Sequence, residues 1–114
     1  MKPLYENFIA TAREIIEANY DDEDFGCPEL CDALHMSRSH VHRKIKKALN
    51  ISTSGFILQV RMEKARESLL KDNQTIASIA YKVGFSDANY FSRLFSAFYG
   101  VSPTQYRQSL LKMY

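Results

Sequence analysis

The sequence predicts an all-α fold of seven helices, in which two helix-turn-helix (HTH) units of the homeodomain-like kind are joined by a long linker helix. Three observations predict it. One motif is written twice: Leu30-Cys-Asp-Ala-Leu34-His-Met36-Ser37, Val41-His-Arg43-Lys-Ile45 and Ala48-Leu49-Asn50-Ile51-Ser52 return as Ile79-Ala-Tyr-Lys-Val83-Gly-Phe85-Ser86, Phe91-Ser-Arg93-Leu-Phe95 and Phe98-Tyr99-Gly100-Val101-Ser102. The front halves align at an offset of 49 and the back halves at 50, so the second copy carries one extra residue just after its serine. Apolar residues recur at helical spacing throughout, and no strand-like alternation persists. The chain holds only three prolines and four glycines in 114 residues. At that length it is one domain, or two small subdomains sharing a connection. The expected division is 1–52 for the first HTH subdomain, 53–72 for the linker helix and 73–114 for the second.

The elements follow in order. Phe8, Ala12, Ile15 and Ile16 form the stripe of an amphipathic helix over about 4–20. The acidic run Asp21-Asp22-Glu23-Asp24 and then Phe25-Gly26 read as a loop. Pro28, welcome in a first turn, opens a helix at about 28–35 that buries Leu30, Cys31 and Leu34, with Cys27 just before it. Ser37 caps a helix at 38–49 with Val41, Ile45 and Leu49 inward, and Asn50 suits a left-handed stop. In the linker helix, 53–71, Leu58, Met62, Ala65 and Leu69 share the buried side, and Asp72-Asn73-Gln74 breaks it. Thr75 caps a short helix at 76–82 with Ile76, Ile79 and Ala80 inward, and Gly84 makes the turn. Ser86 caps the next helix, about 87–99, with Phe91, Phe95 and Phe98 inward, and Gly100 stops it. Ser102-Pro103-Thr104-Gln105 is a capping-box signature for a last helix at 103–112, packing Tyr106 and Leu110.

Charge is divided unevenly along the chain. Residues 1–32 carry nine acids and two bases, whereas residues 33–114 carry four acids and thirteen bases, within a net charge of +2. A basic body suits a polyanionic partner; the bland alternative is two solvated charged faces. No apolar run approaches the ~20 residues that span a bilayer. No basic-then-apolar leader opens the sequence, so a cytoplasmic, reduced setting without a membrane partner is expected.

The helix after Ser37 carries Arg38, His40, His42, Arg43, Lys44, Lys46 and Lys47, with no acid among them. Like charges one turn apart repel by a few tenths of a kcal/mol per pair, a cost that makes sense if a polyanion lies against the helix. Arginine pairs bidentately with guanine edges in the major groove, and lysine neutralises phosphates. An HTH second helix enters the groove by its N-terminal half, so Ser39, His42 and Arg43, opposite the Val41–Ile45 stripe, are the expected base readers. In the second copy the counterparts are Ala88, Asn89, Ser92 and Arg93. Asparagine can bridge an adenine edge. Arg38, His40, Lys46, Lys47, Thr75 and Arg107 are expected on the backbone. Asp87 suits the helix dipole but repels phosphate, so the second copy should supply fewer contacts. Phe91, Phe95 and Phe98, at helical spacing, read as core rather than as a base-stacking platform. A linker helix of 19 residues is about 28 Å long. Successive major-groove faces are about 34 Å apart, so such a helix holds two recognition helices in adjacent groove segments, with some bending of the DNA.

The residues Ile79-Ala80, Val83-Gly84-Phe85-Ser86-Asp87, Tyr90-Phe91-Ser92-Arg93, Phe95, Gly100-Val101-Ser102-Pro103 and Tyr106-Arg107 closely resemble the signature of AraC/XylS-type transcription regulators. Met36-Ser37-Arg38-Ser39, Arg43-Lys44-Ile45-Lys46 and the Arg61, Ala65, Leu69-Leu70 series fit the same family. The resemblance covers about residues 5–110. It implies seven helices, two HTH subdomains joined by a long helix, and promoter binding that recruits or blocks RNA polymerase. The stretch Ser37–Lys47 looks most like the output domains of multidomain regulators, including hybrid two-component sensor-regulators. A separate sensing or dimerising module is usual in the family and absent here. The chain is thus expected to be either a stand-alone regulator or an excised DNA-binding domain, with the second favoured, monomeric alone, in a bacterial protein that can dimerise through another module and is nucleoid-associated when bound. Two residues depart from the pattern: Asn50 stands for the usual glycine, and Thr53 for the proline after the serine.

The leading expectation is therefore sequence-specific double-stranded DNA binding that regulates transcription initiation. An RNA-binding or protein-docking helical module is the second class, although RNA's deep, narrow major groove does not admit a helix. An enzyme is the third. Cys27, Cys31 and His35, spaced by four, are its only candidate constellation, and neither a fourth zinc ligand nor a base–nucleophile–orienter set is evident. The two cysteines read as structural thiols, and no catalytic residue, metal or cofactor is expected.

Overall fold

A computed structural model describes residues 4–71 and 73–112, with side chains described over 7–71 and 73–109. Among the described residues there are seven helices and no strand: α1 (Leu4–Asn19), α2 (Cys27–Leu34), α3 (Arg38–Leu49), α4 (Thr53–Lys71), α5 (Ile76–Lys82), α6 (Ala88–Tyr99) and α7 (Pro103–Lys112). Asp72, expected to help break the fourth helix, and the side chain of Leu110, expected inward, lie outside the described residues. The chain folds as two compact units, one up to Val60 and one from Arg61. The division falls inside α4, so each half of this helix belongs to a different unit.

The helix boundaries follow from their caps. The Ser37 side chain accepts the His40 N–H at the start of α3, and Thr75 accepts the Ser78 N–H at the start of α5. Before α7 the capping box is complete: Ser102 Oγ accepts from Gln105 N at 3.1 Å, and Gln105 Oε1 accepts from Ser102 N at 3.2 Å. Two starts differ from expectation. Cys27 is the first residue of α2 rather than the residue before it, because Gly26 is the N-cap and its N–H donates to Glu29 Oε1 at 2.8 Å. Ser86 does not cap α6. Asp87 does, its carboxylate accepting from Asn89 N and Tyr90 N at 2.9 and 3.2 Å. The residue inserted into the second copy is therefore absorbed before the cap, and α3 and α6 are both 12 residues long.

In the first unit α1 packs on α2 and α3, and α2 on α3. Phe8, Ala12, Ile16, Leu30, Cys31, Val41 and Ile45 are buried together with Phe56, Ile57 and Val60 from α4. Each large apolar side chain so buried contributes about 1.5–3 kcal/mol. Phe25, placed by the sequence in a loop, does lie between helices, but its ring is buried in this core. Leu58, expected on the buried side of α4, is only half-buried, because the first half of the helix turns Phe56, Ile57 and Val60 inward instead, and Leu49, expected inward at the end of α3, is exposed past the buried Val41–Ile45 stripe.

In the second unit α5 packs on α6, and α6 on α7. Met62, Ala65 and Leu69 are buried, as are Ile79, Ala80, Val83, Phe85, Phe91 and Phe95. Phe91 lies 5.4 Å from Phe85 and 5.9 Å from Phe95, ring centre to ring centre, and Phe95 continues to Tyr99 and Tyr106. Phe98 was expected inward but is 42 % exposed. The 3.6-residue period puts Phe91 and Phe95 on one line and leaves Phe98 to one side of it.

Candidate nucleic-acid interface

Both helix pairs turn in the same way. In the first, Met36 N donates to Cys31 O and His35 N to Asp32 O; in the second, Phe85 N donates to Ala80 O and Gly84 N to Tyr81 O. This is a Schellman closure, which demands one left-handed residue. His35 supplies it at φ 56° and Gly84 at φ 94°. A short left-handed turn followed at once by a capped helix is the geometry that holds an HTH second helix out from its partner. It also takes His35 out of the helix that bears Cys27 and Cys31, so the expected series on one face is broken. Among the described residues no three His, Cys, Asp or Glu side chains come together as a metal site requires.

On α3 the buried stripe Val41–Ile45 fixes what faces out. Arg38, Ser39, His42, Arg43, Lys46 and Lys47 are exposed, and His40 is half-buried. Lys44 is half-buried, with its ammonium 5.0 Å from the centre of the Phe8 ring, a cation–π contact that ties α3 to α1. The expected base readers and the two expected backbone lysines thus share one accessible surface with no acid on the helix.

On α6, Asn89 and Arg93 are exposed while Ala88 and Ser92 are half-buried. Arg93 lies over the Tyr90 ring, its guanidinium carbon 5.9 Å from the ring centre. Tyr90, itself 48 % exposed, is a member of this face that charge and hydrogen-bonding arguments passed over. Its spacing three residues before Arg93 was the available signal.

The remaining two expected residues differ in kind. Thr75 is exposed, and its oxygen is committed to the cap of α5. Arg107 is half-buried; Nε donates to Leu69 O at 3.3 Å and Nη1 to Gln74 O at 2.7 Å. It fastens α7 to the end of α4 and to the segment that follows, so its guanidinium serves the fold.

A cleft of the first unit opens beside this surface. It is lined by Cys27 and Cys31 of α2, Arg38 and His42 of α3, and Ser52, Thr53 and Ser54 at the start of α4. Burial pushes the Cys31 thiol above its ordinary range, with Cys27 acting in the same direction and Arg38 opposing it. This cleft exists only where three elements meet, so no single stretch of sequence marks it.

Two left-handed turns, two capped second helices and one cation-rich exposed face define the class, a double HTH protein. Comparison supplies the family. A helix-turn-helix domain family matches residues 30–109. The chain is 35 % identical to the C-terminal domain of AraT, a response regulator from Geobacillus stearothermophilus, with a TM-score of 0.83 over 90 % of this chain and 84 % of that one. It is 37 % identical to the C-terminal domain of the two-component response regulator yesN from Fusobacterium nucleatum, with a TM-score of 0.81 over 89 % of this chain and 98 % of the other. It is also 40 % identical, over 73 % of its length, to the HTH-type transcriptional activator RhaR of Pectobacterium carotovorum, covering 29 % of that protein. The chain belongs to the AraC-type helix-turn-helix DNA-binding domains. It spans about a third of the length of the curated relatives it matches.

Proposed function

We propose that this domain reads double-stranded DNA with both units, each offering its second helix to one of two adjacent major-groove segments, and that it does so with unequal contributions. The observation that carries the reading is α3, where five arginine and lysine residues lie within ten positions without an acid and all but the half-buried Lys44 are exposed. Ser39, His42 and Arg43 read base edges in the first unit, and Asn89 and Arg93, flanked by Ala88 and Ser92, read them in the second. Arg38, His40, Lys46 and Lys47 meet phosphates, and Thr75 offers its hydroxyl proton to the backbone. Tyr90 holds the Arg93 guanidinium against the second helix, which lowers the entropy lost on binding. Arg107 is left out of the contact set because it binds two backbone carbonyls of the protein itself.

The domain acts as a monomer within a larger cytoplasmic bacterial regulator that acts on transcription initiation with RNA polymerase and dimerises through another module. The similarity to C-terminal domains of response regulators and to a transcriptional activator supports that placement. No helix of the described residues is long and apolar enough to cross a membrane. A mobility-shift competition tests the reading: duplex DNA should displace a bound duplex probe, while structured RNA of equal length should not. Equal competition by RNA contradicts it.

A further inference from the structure

We infer that Cys27 and Cys31 form a two-thiolate seat for a soft, thiophilic centre, trivalent arsenic or copper(I), in the cleft of the first unit. Both thiols are free, both stand on α2, and both line a cleft of about 190 Å³ together with Arg38 and His42 of α3. Cys27 is half-buried and Cys31 only 5 % exposed, so the cleft is the route to the Cys31 sulfur. Burial raises the Cys31 thiol most, Cys27 raises it further and Arg38 lowers it, so both neighbours lie within electrostatic reach of that sulfur.

The spacing selects the ligand. Residues four apart on a helix hold their Cβ atoms about 5–6 Å apart. A disulfide needs about 3.5–4.5 Å. Direct closure would therefore have to distort the first turn of α2, which the Gly26 N–H bond to Glu29 holds at 2.8 Å. One atom bonded to both sulfurs spans the wider gap without that distortion. Tetrahedral zinc needs four ligands, and among the described residues no three His, Cys, Asp or Glu side chains come together. The centre is therefore one that two thiolates satisfy: copper(I), which soft thiolates select, or an organoarsenical, whose third bond is to carbon. A copper(I) bis-thiolate carries a net negative charge, and Arg38 stands in the same cleft to offset it.

The repeat supplies an internal contrast. At the offset of 49, Cys27 and Cys31 become Ile76 and Ala80, and the second unit holds no cysteine. The seat is a property of the first unit alone. Arg38 and His42 belong to the face proposed above for DNA, so a filled seat also bears on α3. That consequence rests on the DNA-binding reading, and the seat itself does not.

Phenylarsine oxide is the probe. Two S–H bonds and the As=O bond break, two As–S bonds form and one water leaves, with no change of oxidation state. The whole reduced chain is titrated while free thiols and intact mass are read. One adduct per chain is expected, with both thiols lost together; excess glutathione, a monothiol, should leave it in place, and dithiothreitol, a dithiol, should remove it. Cys27→Ser and Cys31→Ala keep one thiol each and should hold the arsenical at least about a hundredfold more weakly, because the second bond is no longer intramolecular. Copper(I) offered against a chromophoric chelator separates the sources: one ion retained by the parent assigns the seat to soft ions as well, and loss to the chelator assigns it to arsenic alone. An adduct stripped by glutathione, equal affinity in the single-thiol variants, or ready closure to a disulfide by oxidised glutathione overturns the seat. With the seat filled, duplex binding should weaken about tenfold in the parent and not in Cys27→Ser. An adduct that leaves duplex binding unchanged refutes the link to α3; a chain that binds the arsenical but no duplex keeps the seat and loses the DNA reading.

Discussion

His35 holds a left-handed backbone conformation for which glycine is the natural residue, and the second copy uses Gly84 at the same place. A non-glycine residue loses about 1–2 kcal/mol there, partly returned by its stiffer unfolded chain. His35→Gly should therefore raise stability by about 0.5–1 kcal/mol, read from denaturant unfolding. Cys31 makes a prediction about pH. Burial raises its thiol above the unfolded value, so the unfolded chain ionises first as pH rises. The thiol's contribution to stability is fully present below the unfolded pKa and is lost as pH climbs through the folded one. Cys31→Ala, which copies Ala80 of the second unit, should flatten the fall in melting temperature as pH rises above the ordinary thiol range of about 8.5. At this scale the sequence was legible wherever one residue decides its own role: Ser37, Asn50 and Gly100 all stand at the helix ends where expected. It was not legible where roles depend on a neighbour. Ser86 and Asp87 are both good caps, and the one-residue insertion decides between them only through the backbone path into α6.

Elements show what hydrophobic period can and cannot resolve. Period and caps together located the helices, and the stripes of the longer ones are anchored by fully buried residues such as Ile16, Ile45 and Phe91. The period misplaced Leu49, Leu58 and Phe98 because a stripe has edges, and an edge residue is assigned by what packs on it. Asp87→Ala should cost about 1 kcal/mol of stability, more than Ser86→Ala, if the carboxylate holds the start of α6. The reverse order in thermal unfolding would return the cap to Ser86. On α3 the face divides by position. Arg43→Ala should weaken binding to the matched site by about 1–3 kcal/mol and relax specificity at one base pair. Lys46→Ala should weaken matched and random duplexes alike and lower the salt slope by about 1, measured by fluorescence anisotropy across salt concentrations. An equal loss on both duplexes for Arg43→Ala removes it from the base readers. The cleft of the first unit was out of reach of any single element. Its one trace in the sequence is the pair Cys27 and Cys31, standing where the second copy has Ile76 and Ala80.

For the molecule as a whole, duplication has produced two units with one backbone plan and different chemistry. The turns close with the same hydrogen bonds, and the second helices have equal length. The residue inserted into the second copy is spent before the cap of α6. What separates the units is therefore side chains: five cations between Arg38 and Lys47, against Arg93 alone on α6. If each unit reads bases as proposed, two different readers on one chain should select an asymmetric site in one orientation. Selection of bound duplexes from a random pool, run with the parent chain and with Arg43→Ala and Arg93→Ala, tests this most directly. The predicted result is a consensus without inverted symmetry and with two blocks of preferred bases, one flattened by each substitution. A palindromic consensus, or a pool that never enriches, would contradict it.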